Sequence, residues 1–409
     1  MIFDAPHAIK LRSWRSRLVG LLVAAAITVV ILSLRASAQE STPDNPLVQV
    51  LAPGATCATI SDRHGLLLIG VKGQADHHLR VLSVDAQGAV DFDGATTLKL
   101  PLPEALKNAT NYPLQVVFHP TLDLVYVWQD LSGATAAQQA TVHATFDHLL
   151  IYAIEGRSLT LVAGAARGEH FLHGQAYGAI AVDPRGRRIF MSGLPGDSDV
   201  QALGYFDLDQ HGMPMPVPTP IAGTLDGYGL NKHEMKLIPH RISVGNVQNH
   251  TTAFGLVAPS TDVVMFSAYN GAALWDTTNR RAALGYFPIY GAPRDNLIGA
   301  HPDLPVIFGA AVGSHQVYQM EHADGYLSML PATISVAGAR FQSKPVVMPG
   351  APNRVAIGGA NRIDLLPLDA EGRFVGETKS IAVKCAAVRG LTYSSKLDRL
   401  YVAVEALPE

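Results

Sequence analysis

Hydrophobic residues in this 409-residue chain fall into short runs that come in pairs. Each pair is an apolar run, a polar turn of about four residues and a second apolar run. The pairs are ATISDRHGLLLIG (58–70), QVVFHPTLDLVYV (115–127), AIAVDPRGRRIFM (179–191), FGLVAPSTDVVMF (254–266), LIGAHPDLPVIFG (297–309), PVVMPGAPNRVAIG (345–358) and GLTYSSKLDRLYVAV (390–404). The runs are rich in Val, Ile, Leu, Phe and Tyr. They are too short for amphipathic helices and are bounded by Pro, Gly and Asp, so they predict strands. Seven degenerate copies predict a repeat architecture, an all-β, seven-bladed β-propeller in which each phrase is the first hairpin of a blade.

The turns support this reading. Pro120, Pro184, Pro259 and Pro302 occupy one equivalent position directly after the first run, where proline pre-sets φ for a turn. A third run follows several copies, as in LRVLSVDAQG (79–88), LLIYAIEGRS (149–158), ALGYFDLDQHG (202–212) and IDLLPLDAEG (363–372). Each ends in Asp or Glu near Gly, a second turn leading to an outer strand. The last copy offers two strands, and LVQVL (47–51) has no partner of its own. That segment is expected to join the C-terminal blade and close the ring, which removes exposed edges. Three insertions interrupt the spacing, at 131–147, 163–177 and 209–250. The last opens with MPMPVPTP, and proline-rich stretches resist regular pairing. Long loops on a rigid scaffold commonly carry function.

The phrases VDPRGRRIFMSG (182–193) and YSSKLDRLYVAV (393–404) resemble the repeat of lactonase-like and YVTN-type seven-bladed propellers. In those, an apolar strand is followed by a Pro-x-Gly-x turn and a Leu-Tyr-Val strand. The resemblance covers about residues 46–409 as blade architecture. It implies the propeller fold and, more distantly, lactonase or other hydrolase activity. The asparagine usual after the second strand is missing, and no set of family catalytic residues carries over. Trp275, in ALWDTT, resembles the ending of WD40-type repeats in one copy only.

The N-terminus reads as an address. Lys10, Arg12, Arg15 and Arg17 precede an uncharged apolar run of 17 residues, Leu18–Leu34, and Ala36-Ser37-Ala38 forms a cleavage site. Residues 1–38 are therefore expected to be a signal peptide, with an uncleaved anchor as the alternative. Residues 39–409 form the propeller domain, exported to the periplasm or secreted, and the membrane is a partner only through the N-terminal segment if it stays. Removing that segment leaves 26 basic and 33 acidic residues, a formal charge of −7. A mildly acidic domain without a basic cluster is not expected to bind nucleic acid.

Cys57 and Cys385 are the two cysteines, one beside the first repeat and one beside the last. In a closed ring those blades are neighbours, so a disulfide stapling the closure is expected, with two buried free thiols as the alternative. His119 and His301 both precede a turn proline, and Asp183 shares their position. The shared position suggests turn-supporting side chains. If these residues line a channel, they are candidates for catalysis or for a divalent metal. His211, His233, Glu234, His240 and His250 cluster in the largest insertion, and His and Glu suit transition metals, with His233, Glu234 and His240 the named candidates. No HExxH motif occurs there. Glu169, His170 and His173 form a smaller group. The chain lacks a G-x-S-x-G elbow, a P-loop, a dinucleotide-binding fingerprint and a haem-attachment motif. The expected role is binding of a small molecule or a protein partner on the loop-rich face, where Tyr228, Met213 and Met215 are candidate contacts. The alternative is a lactonase-like or other hydrolase with a histidine or metal site at the channel mouth.

Overall fold

The computed structural model describes residues 47–72, 77–106, 110–132, 145–165, 180–195, 201–215, 219–220, 254–256, 263–268, 271–276, 281–286, 296–323, 326–330, 333–350 and 352–405. The signal segment (1–38) lies outside these residues. So do His233, Glu234, His240, His250, Tyr228, Glu169, His170 and His173.

Strand β1 is Leu47–Leu51. The first blade is β2 (Ala55–Ser61), β3 (Leu66–Lys72), β4 (His77–Val84) and β5 (Val90–Lys99). The second is β6 (Thr110–Phe118), β7 (Leu124–Ser132), β8 (Leu149–Glu155) and β9 (Ser158–Ala165). The third is β10 (Ile180–Val182), β11 (Arg188–Pro195), β12 (Gln201–Asp207) and β13 (Thr219–Pro220), and the fourth is β14 (Phe254–Leu256), β15 (Val263–Ala268), β16 (Gly271–Asp276) and β17 (Arg281–Tyr286). The fifth is β18 (Asn296–Ala300), β19 (Val306–Ala311), β20 (Gln316–Ala323) and β21 (Tyr326–Met329), with β22 (Ile334–Ser335) added against β20. The sixth is β23 (Val346–Met348), β24 (Arg354–Gly358), β25 (Arg362–Pro367) and β26 (Lys379–Ala382). Finally β27 (Ala387–Ser394) and β28 (Arg399–Glu405) pair with each other, and β1 pairs with β28.

The chain is an all-β β-propeller. The expectation of seven full blades is corrected: six blades have four strands in sequence order, and the last sheet has three, in the order β1-β28-β27. The last repeat supplies only β27 and β28. Within a blade, neighbouring strands are antiparallel, so the second and fourth strands run in the same direction. Strand β1 feeds into β2 as a fourth strand feeds the next blade, yet it lies directly on the second-position strand β28. The two are therefore parallel, Leu47 facing Leu400 and Leu51 facing Val404. No slot remains for a third-position strand between them.

The second strand of each blade explains why the sequence shows continuous apolar runs instead of alternation. Side chains alternate between the two faces of a strand, but here both faces are covered. In β3, Leu66 and Leu68 pack with Val125 and Val127 of the second blade, whereas Leu67 and Ile69 pack with Tyr401 and Ala403 of the closing sheet. Similarly, Leu124, Tyr126 and Trp128 turn toward Ile189 and Phe206 of the third blade. The core is thus a set of inter-sheet layers. A strand buried on both faces reads as a continuous apolar run, as in parallel sheets.

Polar bonds cross the same interfaces. The Tyr126 hydroxyl donates to the carbonyl of Gly212 in the third blade at 2.8 Å. The Tyr401 hydroxyl donates to the carbonyl of Gly88 in the first blade at 3.1 Å. Both glycines sit in the left-handed region, at φ 75° and 86°, in Asp-x-x-Gly turns. There Asp209 and Asp85 each accept two backbone N–H bonds, at 2.8 to 2.9 Å. The tyrosine of the Leu-Tyr-Val phrase therefore latches one blade to the second hairpin turn of the next. Burial raises the pKa of both phenols above the ordinary tyrosine value, so the hydroxyls remain donors at all ordinary pH values.

Replacing Tyr401 with Phe keeps the packing and removes one net hydrogen bond, an expected loss of about 0.5–1.5 kcal/mol. Denaturant unfolding of Tyr401→Phe and Tyr126→Phe measures it. Unchanged midpoints for both variants would show that the latch contributes nothing.

Candidate functional site

Pairing direction sorts the loops onto two faces. Each innermost strand starts at one face and ends in a tight turn at the other. Ser132, at the end of β7, lies opposite Thr110, where β6 starts. Leu149, the first residue of β8, pairs with Trp128 and with Ala165, the last residue of β9. Ile180 starts β10 opposite Met191, and Pro220 in β13 pairs with Gly204. The described residues flanking the insertions 131–147 and 163–177, and Pro220 itself, are therefore on the face where the innermost strands begin. The tight hairpin turns occupy the opposite face.

The sequence-selected histidines sit on the tight-turn face, where they act as turn caps. His119 is buried; its Nδ1 accepts from the backbone N–H of Thr121 at 3.1 Å and of Leu122 at 2.9 Å. The proton therefore resides on Nε2, which donates to the carbonyl of Gly186 in the third blade at 3.2 Å. His301 repeats the motif: Nδ1 accepts from Asp303 and Leu304 at 3.1 and 3.2 Å, and Nε2 lies 3.2 Å from the Asn353 side-chain amide. Asp183 accepts from Arg187 N–H at 2.8 Å, Ser61 Oγ from His64 N–H at 3.3 Å, and Ser394 Oγ from Leu397 N–H at 3.1 Å. One position in five sheets thus carries a side-chain acceptor that closes the first hairpin, and its chemical identity is interchangeable. His119, Asp183 and His301 thus each cap a separate turn, and Asp183 Oδ2 is left with only the Arg187 guanidinium, at 3.8 Å. Among the described residues no three His, Cys, Asp or Glu side chains gather in a metal-binding group. Gly186 cannot carry a side chain, since it has φ 66° and a Cβ there would lie 2.3 Å from His119 Cε1.

The expected disulfide is also corrected, because Cys57 and Cys385 are free thiols. Cys385 is buried among Met348, Ala356 and Leu365, facing the sixth blade. Cys57 lies on β2 and packs toward the interface with the second blade. The two sheets are neighbours, but their cysteines face opposite ways around the ring.

Cys57 instead opens onto a cavity of about 460 Å³ at the centre of the ring. Its described walls are the entry halves of β2 and β27, parts of β6 and β18, and the segment 342–346 leading into β23. It therefore lies on the insertion-bearing face. The lining is largely apolar or neutral, with Leu114, Val116, Leu297, Ile298 and Leu391 beside Thr56, Thr59, Gln115 and Ser343. Its charged lining groups are Lys344 and Arg389. Arg389 is partly satisfied by Glu405 at 3.0 Å. Lys344 carries no ion pair among the described residues. Burial lowers the pKa of its amine to about 8, and the Cys57 thiol nearby opposes this only in part. Burial likewise raises the Cys57 thiol above its ordinary value, despite a hydrogen bond from Thr56 and the field of Lys344.

The backbone that presents Lys344 is rigid. Gln342 and Ser343 N–H both donate to the Gly358 carbonyl, at 2.8 and 3.2 Å, and Gly358 N–H returns a bond to Ser343 Oγ at 2.8 Å. Pro345 packs so closely on β18 that a Cβ at Gly299 would stand 2.2 Å from its carbonyl oxygen. Sequence reasoning missed Lys344. The available signal was a lone lysine inside FQSKPVVM, at the mouth of an apolar innermost strand, where a charge has no structural reason to be.

The comparisons agree with this architecture. No protein-family model matches the sequence, and no curated protein is similar to it. Solved structures match as folds. The periplasmic gluconolactonase of Pseudomonas aeruginosa aligns with a TM-score of 0.52 and 12% identity, over 85% of this chain and 88% of that one. A Bacteroides fragilis protein proposed as a 6-phosphogluconolactonase aligns with 0.51 and 12%, over 84% and 89%. Hydrazine synthase from Kuenenia stuttgartiensis aligns with 0.50 and 11%, over 90% and 99%. The chain shares the β-propeller fold of these proteins. Identity this low carries the fold alone, and one fold hosts many functions.

The turn histidines predict a pH dependence. Burial is the main cause lowering the pKa of His119, His301 and His64 from 6.5. A base with a depressed folded pKa leaves stability intact above the unfolded value and loses it as pH falls, because the unfolded chain takes up the proton first. The thermal midpoint is expected to be flat above about pH 7 and to fall from there toward pH 5. The decline should be shallower in a His119→Asn, His301→Asn double variant, whose side-chain oxygens keep an acceptor at each turn. Identical slopes for the two proteins would exclude the histidines as its source.

Proposed function

We propose that this protein is an exported binding propeller that holds a small, negatively charged ligand at the mouth of its central cavity. The observation that carries the reading is the lining of that cavity. Its charged groups are cationic, its volume suits a small molecule, and it opens on the face where the described residues flanking the insertions 131–147 and 163–177 lie. Lys344 supplies the unpaired charge, and Arg389 supplies a weaker one because Glu405 shares it. Export rests on the basic, apolar, A-x-A order of residues 1–38. Among the described residues no helix is long and apolar enough to cross a membrane. The reading takes β1 as the strand that closes the ring against the three-stranded last sheet.

Lactonase-type hydrolysis is the second reading, favoured by the periplasmic gluconolactonase and the proposed 6-phosphogluconolactonase among the structural neighbours. It would use Lys344 as the base at the same cavity, since that is the group there with a pKa near working pH.

Calorimetric titration of the exported form against small carboxylates, phosphates and neutral sugars separates the readings. An anion is expected to bind, and Lys344→Met to weaken it about ten- to a hundredfold, the worth of one charge-assisted hydrogen bond. Arg389→Met should cost less. The affinity should decline as pH rises through about 8, where Lys344 loses its proton. If no anion binds, or Lys344→Met binds as well as the parent, the binding reading fails. Hydrolysis of gluconolactone that Lys344→Met abolishes would establish the second.

A further inference from the structure

Deepening that reading of the cavity, and resting on it for the location of the ligand, we propose that Lys344 is a covalent capture site for carbonyl compounds, condensing with an aldehyde or ketone to form an imine. Three observations place the chemistry on this residue. First, Lys344 lines a cavity of about 460 Å³, large enough for a small carbonyl compound. Second, no carboxylate belongs to the described lining, so nothing there holds the amine in its charged form by ion pairing. Third, its backbone is clamped by the paired hydrogen bonds between 342–343 and Gly358 and by the close packing of Pro345 on Gly299. The nucleophile is therefore presented from a fixed anchor.

The cavity also contains a thiol, and the environment decides which nucleophile is free. In water a cysteine (9.0) loses its proton before a lysine (10.5). Here the order is inverted. Burial lowers the amine to about 8 and raises the thiol above 9.0, because desolvation disfavours the charged form of each. Near pH 7.5 about a quarter of Lys344 is then free base, against roughly one part in a thousand for an ordinary lysine. Cys57 stays protonated, so the amine is the free nucleophile.

The step balances without a further reagent. The Nζ lone pair attacks the carbonyl carbon and a C–N bond forms. The carbonyl oxygen takes up a proton as the nitrogen loses one. The resulting carbinolamine expels one water to leave the C=N bond, and hydrolysis reverses the sequence.

The test treats the exported form of the whole chain with glycolaldehyde and cyanoborohydride, which reduces only the imine. Peptide mapping by mass spectrometry then gives a rate for each lysine, with exposed Lys379 and Lys384 as internal references. Lys344 is expected to be labelled ten- to a hundredfold faster than either at pH 7.5, with a rate that levels off above pH 8. That preference should vanish in urea. Cys57→Ser should leave the site of labelling unchanged, and Lys344→Arg should leave the references unchanged while removing the fast label. Equal rates at the three lysines, or a preference that survives urea, would overturn the proposal. Glyoxylate in place of glycolaldehyde adds a carboxylate. If the cavity captures carbonyls but does not prefer anions, both aldehydes label Lys344 equally; if it prefers anions but does not form imines, glyoxylate binds and neither labels.

Discussion

Every part of this molecule depends on the need to cover both faces of each sheet. A four-stranded sheet whose second strand reads Leu66-Leu67-Leu68-Ile69 exposes two apolar faces and cannot stand alone. A neighbour on each side solves the problem, and that neighbour has the same need. The series ends only where a sheet meets the first one. The close approaches at the centre follow from this packing. Gly390 lies against Ala58 and Gly299 against Pro345, where a Cβ would stand closer than any real contact. The innermost strands bring neighbouring backbones together there, and what they leave open between them is the cavity.

The repeat was legible because its period is set by local chemistry. Apolar runs of strand length, a proline-marked turn and an Asp-x-x-Gly turn identify three strands of a blade from residues adjacent in sequence. Two features were not legible. That LVQVL joins the last sheet was expected from its lack of a partner, but that it lies directly on β28, with no third-position strand between, rests on a contact between residues some 350 positions apart. The direction of a side chain around the ring was equally hidden. Cys57 and Cys385 belong to adjacent sheets, yet each faces its other neighbour.

The histidines show how a shared position can come from a shared local demand. His119, Asp183, His301, Ser61 and Ser394 recur at one place because a turn needs an acceptor there, and five copies of one local demand do not converge on one point. The group that stands out chemically is instead the one that breaks its local pattern. Lys344 interrupts an apolar approach to β23 and has no turn, cap or ion pair among the described residues to account for it. The turn caps and the cavity thus occupy opposite faces, and Lys344 belongs to the second. Structural neighbours as different as a gluconolactonase and a hydrazine synthase are consistent with a scaffold that leaves its chemistry to such local departures.

The parallel pairing of β1 with β28 also has a kinetic consequence. Each complete blade is a run of hairpins and gains most of its contacts from residues close in sequence, so it can form early. The last sheet cannot, because β1 waits for a strand made from 399–405. Contacts of such long sequence separation carry the greatest loop-closure cost and form late. Until they do, the outer edges of β28 and the apolar face of β3 remain open to other chains. Assembly of that single sheet is then the step at which folding competes with aggregation.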